Sequence, residues 1–325
     1  MFKKLEISIQ TVLLTLAILA GAWLVIEIRD ILFLVFISFL LMTAIHPLIL
    51  GLEKLRLPRA ISIIVVYVVI LGFLGVSIAG SIPAIVVQST KLAQTLPDLI
   101  VRLLPYWNID MKTISQQITP LGENVVKVTV GIFTNIVTTL TVLIFTFYFL
   151  LERRHAEAIL TDLFGGPIGK QITTILRLIE HRLGAWVRGE LLLMSFVGIL
   201  TYIGLMLLNV EFALPLAILA GILEIVPMIG PIISGIPAVL VGLATSPVQA
   251  LSVAALYVVV QQLENNILVP WVMKRSVGLS PIVTILSLMI GGRLGGVTGA
   301  VLAVPVLLVI QALFTTILQT KNPVK

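Results

Sequence analysis

Apolar positions along this chain do not alternate, nor do they recur only every third or fourth residue. They run nearly unbroken for long stretches. Runs of that kind match the roughly 20 residues a helix needs to cross a hydrocarbon core about 30 Å thick. Five of them precede residue 210: Ser8 to Ile26, Ile31 to Leu50, Ala60 to Ile82, Val128 to Leu151 and Leu191 to Leu208. Only a tight turn with Glu27, Arg29 and Asp30 parts the first two, so these form an antiparallel hairpin. The pattern predicts an all-α, polytopic transmembrane bundle of about eight spans.

Two polar stretches interrupt the runs. Residues 83–127 carry mixed charge, with Lys91, Asp98, Arg102, Asp110, Lys112 and Glu123, and Pro97 and Pro105 cut their amphipathic helices. They read as an extracytoplasmic insert between three N-terminal spans, 1–82, and a fourth span, 128–151. Residues 152–189 set Ile172, Ile175, Leu176, Ile179, Leu183 and Trp186 at helical spacing against Arg177, Glu180 and Arg182. That stripe predicts a cytoplasmic amphipathic segment lying along the membrane surface.

Beyond residue 210, within a C-terminal half spanning 190–320, proline and glycine cut the apolar stretches too often for ordinary spans. Residues 213–244 and 279–310 each open with a proline, break at glycines and carry a further proline, Pro237 or Pro305. The offset between copies is roughly 66 to 68 residues, from Pro215 to Pro281 and from Pro237 to Pro305. One span, Gln249 to Pro270, separates them, which predicts an inverted repeat. Backbone broken at membrane depth must line protein or water, because lipid cannot satisfy its polar groups. The breaks at Pro227 to Pro231 and at Gly291, Gly292, Gly295 and Gly296 therefore read as the bends of helical hairpins, re-entrant or fully spanning. Glycine and proline that merely kink packed helices are the alternative.

Composition narrows the class. The chain is 59% hydrophobic and 11% charged, which leaves more apolar surface than a soluble fold of 325 residues buries. With no cysteine, disulfides, thiolate metal sites and cysteine nucleophiles are excluded. His46, His155 and His181 lie too far apart for a metal spacing, and no Walker loop, triad or paired-carboxylate site is present. No metal, cofactor or enzymatic activity is expected. The net charge of +6 comes from residues at the ends of apolar runs, not from one polar face, which argues against nucleic acid. Lys3, Lys4, Lys54, Arg56, Arg59 and the basic residues of 153–188 fall on one side, so both termini are expected in the cytoplasm.

Charged side chains within membrane helices cost roughly 2.5–3.5 kcal/mol on insertion scales and are rarely idle. Glu224 precedes the first break, Glu264 lies in the span between the copies, and Arg293 sits between the glycine pairs of the second. Gln261, Glu264 and Asn265 share one helical face, the arrangement that presents several ligands to a cavity. A buried carboxylate with amide neighbours takes up a proton, holds a small cation or accepts hydrogen bonds from a hydroxylated solute. Arg293 either counters Glu224 or Glu264 across the cavity or snorkels to the interface.

The segments VRGELLL (187–193), EIVPMIGPIISGIPA (224–238), QQLENNILVPWVM (261–273) and GLSPIVTILSLMIGGRLGGVTGAVLAVPV (278–306) together resemble the AI-2E, or autoinducer-2 exporter, family of transporters. The resemblance covers essentially the whole chain. It implies a multi-pass prokaryotic plasma-membrane protein, a homo-oligomer, and export of a small polar solute such as autoinducer-2 or exchange of sodium or lithium for protons. The family's proline and glycine motif falls on Pro227, Gly230, Pro231, Gly235 and Pro237, its polar helix on Glu264 and Asn265, and Met228 stands where many relatives have an aromatic residue. Three readings follow: an ion-coupled secondary exporter working by alternating access, a sodium (lithium)/proton antiporter, and a non-transporting membrane scaffold.

Overall fold

The computed structural model describes residues 9–72, 87, 91, 136–272 and 280–321, so apart from Val87 and Lys91 the expected extracytoplasmic insert lies outside the described residues. Among the described residues the chain is helical and contains no strand. Helix α1 spans Ile9–Glu27, α2 Arg29–Lys54, α3 Arg59–Gly72, α4 Ile136–Phe164 and α5 Gly166–Leu207. They are followed by α6 (Ala213–Leu223), α7 (Ile229–Thr245), α8 (Pro247–Leu263), a π-helical turn (Glu264–Leu268), α9 (Val269–Val272) and α10 (Pro281–Lys321).

These helices present apolar side chains outward. On α1, Leu13, Leu14, Leu16, Ile18, Leu19 and Trp23 are all exposed, covering every side of the helix, which is tolerable only when the surroundings are themselves apolar. Judged by length and apolarity, α2, residues 168–207 and residues 282–316 are long enough to cross a bilayer. The last of these is two arms rather than one rod. Gly295 and Gly296 leave helical geometry, and a Cβ on Gly291 would lie 3.0 Å from the Cβ of Ala303, which a continuous helix would hold about 18 Å away along its axis.

Helix α5 spans two of the expected segments. No break separates the amphipathic stretch from the apolar one; a single helix of 42 residues runs through both. At 1.5 Å per residue it is about 63 Å long, twice a bilayer core, so part of it must project beyond the membrane. Part of its apolar stripe packs inside the protein. Leu183 and Trp186 are buried against Leu40 of α2 and Val304 and Leu308 of α10. Helix α4 likewise continues past residue 151 to Phe164, and Gly165, at φ +76°, turns the chain into α5.

Polar side chains tie the N-terminal helices together where backbone groups would otherwise go unsatisfied. Pro47 inside α2 has no N–H to give to the Thr43 carbonyl one turn earlier. The Arg188 guanidinium on α5 donates to that oxygen at 3.2 Å and to the Ala44 carbonyl at 3.4 Å. Gly184 makes this approach possible, since a Cβ there would meet the Thr43 carbonyl at 2.5 Å. On the projecting part, Arg153 pairs with Glu180 and Glu157 at 2.7 Å, and Arg177 with Glu157, locking α4 to α5.

Candidate functional site

The first hairpin is built by close backbone approach. Helix α6 packs along α5 where a Cβ on Gly221 would come within 2.8 Å of the Met194 carbonyl. After Leu223 the helix stops and the backbone reverses over residues 224–228. The reversal closes with a three-residue turn in which the Ile229 N–H donates to the Pro227 carbonyl at 2.9 Å. Met228 at its centre has φ +68° and ψ −36°, close to the rare γ-turn geometry that strains any residue with a side chain. Gly230 then lies so near the end of α6 that a Cβ would meet the Leu223 carbonyl at 2.0 Å. Pro231 falls in the first turn of α7, where its missing N–H costs nothing.

The reversal delivers Glu224 to two other carboxyls. Glu190 comes from α5 and Glu264 from the π turn that ends α8, and the three are 4%, 1% and 4% exposed. Glu224 and Glu264 are in hydrogen-bond contact, and Glu190 is close enough to feel the charge of both. Two carboxyls joined in this way hold a proton between them. Gln261 donates from Nε2 to Glu264 Oε2 at 2.9 Å, whereas Glu190 Oε1 and Glu224 Oε2 have no partner. Among the described residues no Lys or Arg pairs with any of the three; Arg188, two residues from Glu190, is committed to the α2 carbonyls. Among the described residues no group of three or more His, Asp or Glu side chains is placed to hold a metal ion. The three carboxyls together bind and pass protons or compensate a mobile cation.

Beside Glu264 lies a cavity of about 10 Å³ whose polar lining is Thr201, Ser234, Tyr257, Gln261 and Glu264. That volume holds roughly one water-sized occupant. A wider apolar groove of about 470 Å³ between α7 and α8 shares Pro231, Tyr257 and Gln261 with it.

The AI-2E family transporter profile matches residues 12–319. YueF of Bacillus subtilis, named as a candidate transport protein, is 30% identical over 320 residues, covering 91% of this chain and 86% of the relative. YhhT of Escherichia coli K12, named likewise, is 30% identical over 278 residues, 80% of this chain and 77% of the relative. PerM of the same strain, named as a candidate permease, is 26% identical over 255 residues, 73% and 69% of the two chains. The chain belongs to the AI-2E transporter family. It is a membrane protein and a transporter by kinship.

Within this AI-2E transporter, the structure unites some of the expected site residues and separates others. Glu224, Gln261 and Glu264 meet, with Pro231 beside them, while Pro227 and Gly230 shape the turn. Gly235 lies against the Tyr257 ring and Pro237 inside α7. Asn265 is exposed while neighbouring Glu264 is buried, and a π turn begins at Glu264, where the Val269 N–H reaches back five residues to the Glu264 carbonyl. Arg293 is exposed near the tip of the second hairpin and forms no ion pair among the described residues, so it does not counter Glu224 or Glu264. Gly291 and Gly292 lie in the helical arm before that tip, and Pro305 is buried in the arm after it. The first break begins at Glu224 rather than at Pro227. Sequence reasoning missed Glu190, Thr201, Ser234 and Tyr257. Glu190 had a signal, a carboxylate abutting the apolar run that starts at Leu191, within the VRGELLL segment.

Proposed function

We propose that this protein is a secondary transporter whose coupling site is the Glu190–Glu224–Glu264 cluster, exchanging protons for another small cation. The observation that carries this reading is the burial of three carboxyls at one hairpin tip without a paired Lys or Arg among the described residues. Proton loss leaves negative charge in a low-dielectric interior, and only a replacement cation compensates it there. The strained turn at Met228 is the natural place for the tip to change shape and open the cluster to alternate sides.

Export of a small polar solute is the second reading, favoured by the hydroxyls and amide beside Glu264, which suit a hydroxylated ligand. Size decides the order: a cavity of about 10 Å³ admits an ion or a water but no solute of several carbons in this conformation. The basic residues flanking the apolar runs support a prokaryotic plasma-membrane location with both termini cytoplasmic, and exposed apolar helix faces suit a homo-oligomer.

The test is reconstitution in vesicles with an internal pH dye and an imposed sodium, lithium or solute gradient. Cation-driven proton movement that disappears in Glu264→Gln is expected. Wild-type vesicles that move no protons under any of these gradients would overturn the proposal.

A further inference from the structure

Helices α7 and α8 touch at one end and part towards the other. Near the turn that joins them, a Cβ on Gly242 would lie 3.2 Å from the Ala250 backbone, so the helices meet there almost backbone to backbone. Further from the turn they leave the apolar groove of about 470 Å³ between them. Ile232, Ile236 and Leu240 line it from α7 at four-residue spacing, and Ala254, Val258 and Gln261 line it from α8. Ile232, Ile236 and Val258 are all exposed, so the groove opens to the surrounding lipid. A volume of that order suits an organic molecule of ordinary ligand size.

One end of the groove is polar. Pro231, Tyr257 and Gln261 also line the small cavity against Glu264, so the groove runs up to the carboxyl cluster. Tyr257 is pinned at this junction, its ring beside Gly235, where a Cβ would come within 3.3 Å, and its hydroxyl in hydrogen-bond contact with Ser234. Gln261 spends its Nε2 on Glu264 Oε2 at 2.9 Å, which leaves the amide oxygen as the group that a ligand N–H can reach. Behind it stand Glu190, Glu224 and Glu264, buried and without a paired Lys or Arg among the described residues. A Glu224–Glu264 pair that shares one proton keeps one negative charge, and a low-dielectric interior screens that charge little.

We propose that the α7–α8 groove binds an amphipathic organic cation, an ammonium group carried on an apolar body, drawn from the membrane. The apolar body lies between Ile236 and Val258 and the ammonium at the Gln261 end, where the amide oxygen accepts from it and the buried carboxyls attract it. Tyr257 offers an aromatic ring to the same cation. This goes beyond the exchange reading above, because it uses the carboxyls only for their charge. A lipid acyl chain fits the apolar walls but leaves the polar end unused, and an anion is repelled by it. Affinity therefore depends on charge as well as on apolar area, and a cation with an apolar body satisfies both. Such molecules concentrate in the bilayer, where the groove opens.

The experiment measures binding of naphthylmethylammonium, naphthylmethanol and naphthoate to the purified full-length protein in an uncharged detergent. Equilibrium dialysis is read by naphthalene fluorescence against protein-free micelles. The three probes share an apolar body and are cationic, neutral and anionic. Wild type should bind the ammonium at least about tenfold more tightly than the other two. Val258→Trp, which fills the groove from an exposed position, and Gln261→Leu, which removes the amide oxygen, should each weaken ammonium binding about tenfold or more, with thermal midpoints close to wild type. Val259→Trp, exposed on the same helix but outside the groove, should leave binding unchanged. Wild type that binds no ammonium, as it would with a second copy of the chain seated in the groove, would overturn the proposal. Equal binding of all three probes would overturn it too, in favour of an acyl-chain groove, as would ammonium binding that neither Val258→Trp nor Gln261→Leu weakens.

Discussion

The two broken segments, 213–245 and 281–321, look alike in sequence and differ in what their reversals do. In the first, the turn is tight and its flanks are buried: Glu224 is sealed, Gly230 touches the end of the preceding helix, and a non-glycine residue, the exposed Met228, takes the left-handed angle. In the second, Gly296 supplies the left-handed angle at φ +60°, a Cβ at Gly295 or Gly296 would meet nothing within 4 Å, and Leu294 and Val297 are 83% and 81% exposed. The second hairpin is anchored further along, where Val304 and Leu308 pack on α2 and α5. Glycine and proline therefore mark where the backbone turns, while the packing around the turn decides whether it makes a site.

The largest effect expected from this contrast separates the two tips by activity. Glu224→Gln should lower coupled proton flux in vesicles by more than about tenfold, equivalent to 1.4 kcal/mol. Arg293→Gln should retain most of it; equal losses would show that the second tip takes part directly. Next in size, Gly230→Ala drives a Cβ into backbone and should cost about 3 kcal/mol or more in thermal unfolding in detergent. Gly296→Ala pays only for its backbone angle, about 1–3 kcal/mol, because the space is open. A smaller change is expected from Met228→Gly, which relieves the strained turn and should stabilise by up to about 1 kcal/mol while altering transport. A clear loss of stability there would mean that the Met228 side chain, not the turn, holds the tip.

The smallest effect concerns the projecting part of α4 and α5, away from both tips. The Arg177 guanidinium first, and Arg153 with it, hold the Glu157 carboxyl down at about 2 against the opposing pull of burial. A depressed acid stabilises the fold above its unfolded value, about 4.3, and that contribution fades as pH falls towards 2. Exchange protection over residues 152–189, taken relative to the intrinsic amide rate at each pH, should fall through that window, and Glu157→Gln should show reduced protection already at pH 7. The expected magnitude is about 0.5–1 kcal/mol, since the pair with Arg177 faces solvent.

By itself the sequence determined the solvent, the class of structure and the family. Long apolar runs with little charge leave no choice but helices in lipid, because each backbone group must be satisfied within its own segment. Glu224 and Glu264 were legible for the same reason, as charges standing inside apolar runs. Tertiary structure decided the rest. Whether Arg293 or Glu190 joins those carboxyls depends on which helices pack together, and residues so far apart in sequence carry no local trace of it. The cavity that leaves Thr201 without a partner likewise arises only when α5, α7 and α8 meet. Periodicity fixes which side of an isolated helix a residue occupies; the neighbours that complete its hydrogen bonds are chosen by the packing.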